Sequence, residues 1–167
     1  MQADRDQSAD VLLYKGKWYI VPHAISAEGF TTFGLEWFTV DATEPAEKKG
    51  ELVYEALRRS GKELAYGIHN PRPRSQNVQL VMTGAKRLTR KMLNQIWGVG
   101  VSVVGDEIRV YPQKKVSPWQ ALYKEPISLP YPSPPEKLVE AIIEAFRRSE
   151  PPPPEENLFG SVSAPEA

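Results

Sequence analysis

The chain has 167 residues, 41% of them hydrophobic and 25% charged, which suits one compact domain or two small units sharing a core. Its 21 basic and 21 acidic side chains cancel, so the chain as a whole exerts no pull on nucleic acid or anionic lipid. Cysteine is absent, which excludes a disulfide framework, a thiolate metal site and a cysteine nucleophile.

In chain order, residues 1–9 lack an apolar h-region, so they do not read as a secretory signal, and they are expected to be disordered. No stretch approaches the roughly 18 consecutive apolar residues of a membrane span, so a soluble, cytoplasmic protein is expected. Residues 11–14 and 18–21 are β-rich runs around Lys15, Gly16 and Lys17 and read as a hairpin. Residues 37–40 form a further short strand. A helix follows, with Ala46, Gly50, Val53, Tyr54 and Leu57 on one face. Thr43 or Asp41 is expected to cap it, and Gly61 to end it.

Residues 62–96 form a connector. It holds a loop at 67–76, a short helical patch at 78–82 and a basic helix over 86–95, whose polar side carries Arg87, Arg90 and Lys91. The pattern of the first half then returns. Residues 99–104 and 108–111 flank Gly105, Asp106 and Glu107 as a second hairpin, and 127–129 is a third strand. Ser133, Pro134, Pro135 and Glu136 read as a capping box opening a helix with Leu138, Val139, Ile142, Ile143 and Phe146 on one face. The tail, residues 151–167, is proline-rich and poor in aliphatics, so it is expected to be disordered.

The two halves are a repeat. Trp-Tyr-Ile-Val-Pro at 18–22 matches Ile-Arg-Val-Tyr-Pro at 108–112, and Glu-Ala-Leu-Arg-Arg-Ser at 55–60 matches Glu-Ala-Phe-Arg-Arg-Ser at 144–149. The offset is 90 at the front and 89 at the back, so one deletion brings the halves into register. Each unit has a sheet with one apolar face and a helix with one apolar stripe, which must cover each other. The expected fold class is α+β: two pseudo-repeated antiparallel hairpin/strand–helix units, 10–61 and 97–150, packed around a shared core in one domain (10–150) with a helical connector.

Nothing in this pattern assembles a catalytic group. His23 and His69 have neither a partner histidine at i+4 nor an acid at ligand spacing, and both read as surface or capping residues, so no metal or cofactor is expected. The Gly-Val-Gly run at 98–100 precedes a strand, whereas a phosphate loop follows one and opens a helix; it reads as a strand entry with close backbone approach. The pairs Glu51 with Glu55 and Glu140 with Glu144 sit on solvated helix faces. The expectation is a binding protein and not an enzyme. Trp119, after Ser117 and Pro118, is the aromatic most expected to be exposed. Between Leu64 and Gly105 stand six basic residues and no acidic one: Arg72, Arg74, Lys86, Arg87, Arg90 and Lys91. The flanks are acidic, 8 basic against 11 acidic before and 7 against 10 after. Such a segment is a solvated face, a partner for the acidic helices of the same molecule, or a docking patch for an acidic partner or a phosphate backbone. These six residues and Trp119 are the candidate partner-binding set.

The run at 14–22, the helix ending at 55–60, the second hairpin with its helix, and the connector stretch at 80–93 resemble the immunity proteins of contact-dependent growth inhibition systems. The resemblance covers roughly residues 11–150. It implies a cytoplasmic protein that binds the toxic C-terminal domain of its cognate effector, commonly a nuclease, and neutralises it by covering its active site or substrate groove. The basic connector residues and the proline-rich tail are not part of the resemblance. The layout also resembles the Whirly-type and Pur-type single-stranded nucleic-acid binders, whose curved sheets offer stacking aromatics and a basic groove; this chain lacks their net positive charge.

Overall fold

Alternation of small and branched apolar residues makes the first strand the spine of the molecule. In the computed structural model, which describes residues 6–159, β1 (Gln7–Tyr14) turns through Lys15 and Gly16 into β2 (Lys17–Ile25). Both turn residues have positive φ, 50° and 74°, the two-residue geometry whose twist matches the flanking strands. β3 (Thr31–Phe33) and β4 (Phe38–Asp41) both pair with β2, and α1 (Ala46–Arg58) follows. β5 (Lys62–Glu63) runs parallel to the end of β2. The connector carries a 3₁₀ turn at Arg74–Gln76, then α2 (Val78–Thr83) and α3 (Arg90–Leu93). The second half contains β6 (Trp97–Val104), β7 (Glu107–Tyr111), β8 (Gln113–Ser117), β9 (Gln120–Tyr123), β10 (Ile127–Pro130) and α4 (Pro135–Arg147), and α5 (Glu155–Phe159) closes the described chain.

The large sheet runs β10-β7-β6-β1-β2-β3, with β4 and β5 also on β2, while β8 and β9 form a separate two-stranded arm. The fold is α+β, as expected. The repeat extends further than sequence shows. His23 pairs with Phe33 and Ile25 with Thr31 on the first arm; Gln113 pairs with Tyr123 and Lys115 with Ala121 on the second, all at the offset of 90. The third strands pair at the changed offset, Ile20 with Phe38 and Val110 with Ile127. The deletion therefore lies in the short return from each arm to the sheet, residues 34–37 against 124–126. After each helix the chain comes back alike: Gly61 N–H donates to His23 O at 2.8 Å, and Glu150 N–H to Gln113 O at 3.0 Å. β1 and β6 pair antiparallel with Asp10 opposite Gly100, each the repeat equivalent of the other, so a local twofold axis passes between them.

α1 and α4 lie side by side on one face of the sheet. Their stripes meet Ala9, Val11, Leu13, Trp18 and Ile20 from the first half and Val99, Val101, Ile108 and Val110 from the second. Leu57 and Phe146 occupy equivalent places next to the last residue of each helix, and both are buried. Gly50 lets the helices close: a Cβ built there would fall on the Pro135 carbonyl oxygen and 2.7 Å from Pro135 C and Cα. Lys49 stands where the second half has Leu138. Its ammonium donates to Ala42 O at 2.7 Å and lies 4.7 Å from the Trp18 ring centroid, and burial holds its pKa below the usual lysine value.

Several expectations need correction. The sheet has two apolar faces: Leu12, Tyr14, Tyr19 and Val21 point away from the helices and are covered by Val78, Met82, Leu93 and Ile96 of the connector region. Neither long helix has a side-chain cap. Both start after a proline in extended geometry, Pro45 (φ −55°, ψ 144°) and Pro134 (φ −56°, ψ 143°), while the Ser133 hydroxyl turns back to Pro130 O. Gly61 does have positive φ, 90°, but it serves the return onto β2, after the helix has ended at Arg58 with Arg59 as its C-cap. The basic helix is only Arg90–Leu93, because Thr89 adopts extended geometry and caps Met92 N–H with its hydroxyl at 3.2 Å. Gln7, Ser8 and Ala9 belong to β1 where disorder was expected, and residues 1–5 lie outside the described residues. The tail expected to be disordered forms α5, whose Leu158 is fully buried in the main core. An ion pair of Arg147 with Glu155 (2.9 Å) fastens this segment, and residues 160–167 lie outside the described residues.

Candidate functional site

The two arms rise on the sheet face opposite α1 and α4, and the axis runs between them. Phe33 of β3 and Tyr123 of β9, repeat equivalents, line a groove of about 570 Å³ floored by Ser8, Asp10 and Ser102. Gly100 lacks a side chain because the Tyr123 ring takes its place: a Cβ there would stand 2.8 Å from the ring. The Gly-Val-Gly run therefore lies inside β6 and not before a strand, and the close approach at Gly100 is that of a ring and not of a backbone.

A polar cluster sits in this groove. His23 bonds Ser8 Oγ through Nδ1 at 2.9 Å and Asp10 Oδ1 through Nε2 at 3.0 Å. Asp10 is buried, and burial first, and then the Asp10 charge, push the Tyr123 pKa above its usual value. The carboxylate on the central strand thus bonds the first arm through His23 and shares the groove with Tyr123 of the second. Sequence reasoning missed the cluster and placed His23 at the surface. The hairpin register contained the signal: with Ala9 opposite Pro22, the next pair outward is Ser8 and His23. His69 is exposed, as expected. Among the described residues no group of three or more metal-ligating side chains is found.

Each arm tip exposes one large aromatic. Phe30, at the turn of the first arm, is 66% exposed, and Trp119, at the turn of the second, is 67% exposed. Leu122 and Tyr123 add to the second arm's open surface. A second cavity of about 130 Å³ lies beside Trp119, bounded by Leu93 and Ile96 of the connector region and by Lys115. The Lys115 ammonium donates to Leu93 O at 2.8 Å and lies 5.2 Å from the Trp97 ring centroid, and burial pushes its pKa down to about 8.

The structure divides the basic candidates. Arg72 is half-buried and works inside the fold: its guanidinium donates to Gly34 O (3.1 Å), Gln76 O (3.3 Å) and Thr32 Oγ1 (3.3 Å). Arg74 is exposed but donates to Ala85 O at 2.8 Å. Lys86, Arg87, Arg90 and Lys91 are all exposed, and no ion pair reaches them among the described residues. The paired acids of the long helices take neighbours on their own helix instead: Glu55 takes Arg58 and Arg59, and Glu144 takes Arg148. Among the described residues no helix is long and apolar enough to cross a membrane.

Known protein families and curated proteins return no match to the sequence. The fold does have solved counterparts. A protein of unknown function from Neisseria meningitidis superposes with a TM-score of 0.67 at 12% identity, over 89% of this chain and 98% of that one. A chain of the CdiA-CT/CdiI toxin and immunity complex from Yersinia pseudotuberculosis superposes with a TM-score of 0.64 at 12% identity, over 87% of this chain and 98% of that one. At such identity the likeness is one of fold.

Proposed function

We propose that this chain is an immunity protein that binds the toxic C-terminal domain of a contact-dependent growth inhibition effector in the cytoplasm and neutralises it by covering its working surface. The observation that carries the reading is the two-armed face: a groove on the local axis, flanked by tips that leave Phe30 and Trp119 in water. Exposed aromatics at the rim of a concave polar surface are the anchors of a protein interface. The fold likeness to a chain of a toxin and immunity complex supports the same reading, and so does the sequence resemblance to immunity proteins. The protein acts without chemistry of its own. Ser8, His23 and Asp10 hold one another, a positioning task that needs no turnover.

The test is co-expression with the toxin domain encoded beside this chain's gene. The chain rescues growth and co-purifies with that domain, and Ser8→Ala rescues equally well. A chain that neither rescues nor co-purifies refutes the proposal, and salt-sensitive binding of single-stranded oligonucleotides would then favour the nucleic-acid reading.

A further inference from the structure

The connector carries cations that the rest of the molecule leaves alone. Lys86, Arg87, Arg90 and Lys91 lie within six residues of chain, all exposed, and among the described residues none meets a carboxylate. On the long helices Glu55 pairs with Arg58 and Arg59, Glu144 with Arg148 and Lys137 with Glu140. The short helix that presents Arg90 and Lys91 also supplies Leu93 to the cavity beside Trp119. A charged helix and a cavity of about 130 Å³ of mixed lining, with Leu93, Ile96 and Trp119 beside Gln79, Gln113 and Lys115, thus adjoin on one side of the second arm. That volume is right for one side chain and too small for a folded segment.

We infer that this side of the molecule, formed by Lys86, Arg87, Arg90, Lys91 and Trp119, receives an acidic protein surface in which one side chain enters the cavity and carboxylates meet the four cations. The inference rests on the proposed immunity role and names the chemistry of the partner's contact face. A protein fits better than a polynucleotide for a reason of charge. The chain is neutral overall, with 8 basic against 11 acidic residues before the connector segment and 7 against 10 after it. A long polyanion gains nothing from the total charge of the chain, which is zero, whereas a local acidic patch on a folded partner needs only the four cations.

The test uses the full chain and the toxin domain encoded beside its gene. A variant carrying Lys86→Glu, Arg87→Glu, Arg90→Glu and Lys91→Glu is compared with the unaltered chain for association rate and affinity at low and high salt. A second variant, Trp119→Ala, probes the socket, and Lys137→Glu on α4 serves as a control. The charge variant associates at least about tenfold more slowly at low salt, and the gap narrows at ~0.5 M salt, while the thermal midpoint holds. Trp119→Ala dissociates faster without changing the salt dependence, and the control behaves like the unaltered chain. If the unaltered chain binds and the charge variant binds equally well, the inference fails and the immunity reading stands. If the unaltered chain does not bind the domain, both fail. If the four cations prove necessary only for single-stranded oligonucleotide binding, the patch belongs to nucleic acid and the inference fails.

Discussion

Replacing Gly50 by alanine separates two effects that normally act together. By helix propensity alone the change stabilises α1 by about 1 kcal/mol, since glycine is the costliest ordinary residue in a helix interior. The packing opposes it. The new methyl would land on the Pro135 carbonyl oxygen and 2.7 Å from Pro135 C and Cα, all backbone atoms at the start of α4 that no rotamer change can clear. The helices must separate instead, and both bury their stripes in the shared core. Overpacking of a well-filled interior costs typically about 1–3 kcal/mol, and a backbone obstacle puts Gly50→Ala toward the upper end. The expected net is a loss of roughly 1–2 kcal/mol once the propensity gain is subtracted. Urea unfolding followed by far-ultraviolet circular dichroism measures it, with Glu51→Ala, one residue on and exposed, as the reference for propensity. A Gly50→Ala protein as stable as the unaltered chain would refute the close approach of the two helices.

Leu158→Ala, in the last described helix, costs about 2–5 kcal/mol because the side chain is fully buried in the main core; a change below about 0.5 kcal/mol, read by thermal and urea unfolding, would show that the segment does not dock. Burial sets Lys115 at about 8 against a reference of 10.5, so between those values the unfolded chain holds more protons than the folded one. Stability therefore rises with pH from about 8 toward 10.5 through this residue. Lys115→Met flattens that slope in urea midpoints taken from pH 7.5 to 9.5, and equal slopes in the two proteins would refute the burial of the ammonium.

The strongest periodic signals in the sequence led directly to the sheet and the two helices. Val11 and Leu13 alternate with positions facing the other way, and the Leu57 and Phe146 stripes recur at helical spacing, so hairpins, helices and repeat all follow from short-range pattern. What escaped was set by pairing over distance. β3 and β9 are short, and β9 is exposed throughout, so neither shows apolar alternation. The second apolar face of the sheet escaped because Leu12, Tyr14, Tyr19 and Val21 were not matched with Val78, Met82, Leu93 and Ile96 of the connector region. The Ser8–His23–Asp10 cluster was hidden by beginning the first strand at Val11; begun at Gln7, its register sets Ser8 opposite His23. Leu158 escaped because prolines at 151–154 made the composition of the tail look unstructured. Trp119 was legible, since a tryptophan just after Ser-Pro at a turn has little to pack against.

The one-residue difference between the returns 34–37 and 124–126 has a meaning for how such a protein changes over generations. Length variation has been absorbed at the root of an arm, while strand pairing on either side of it keeps the same register. Both arms are laced to the connector below their tips, the first through Arg72 and Thr32 and the second through Lys115 and Leu93 O. The turn at Trp119 stands beyond that tie, so it can exchange its residues for new specificity while the strand pairing preserves the frame.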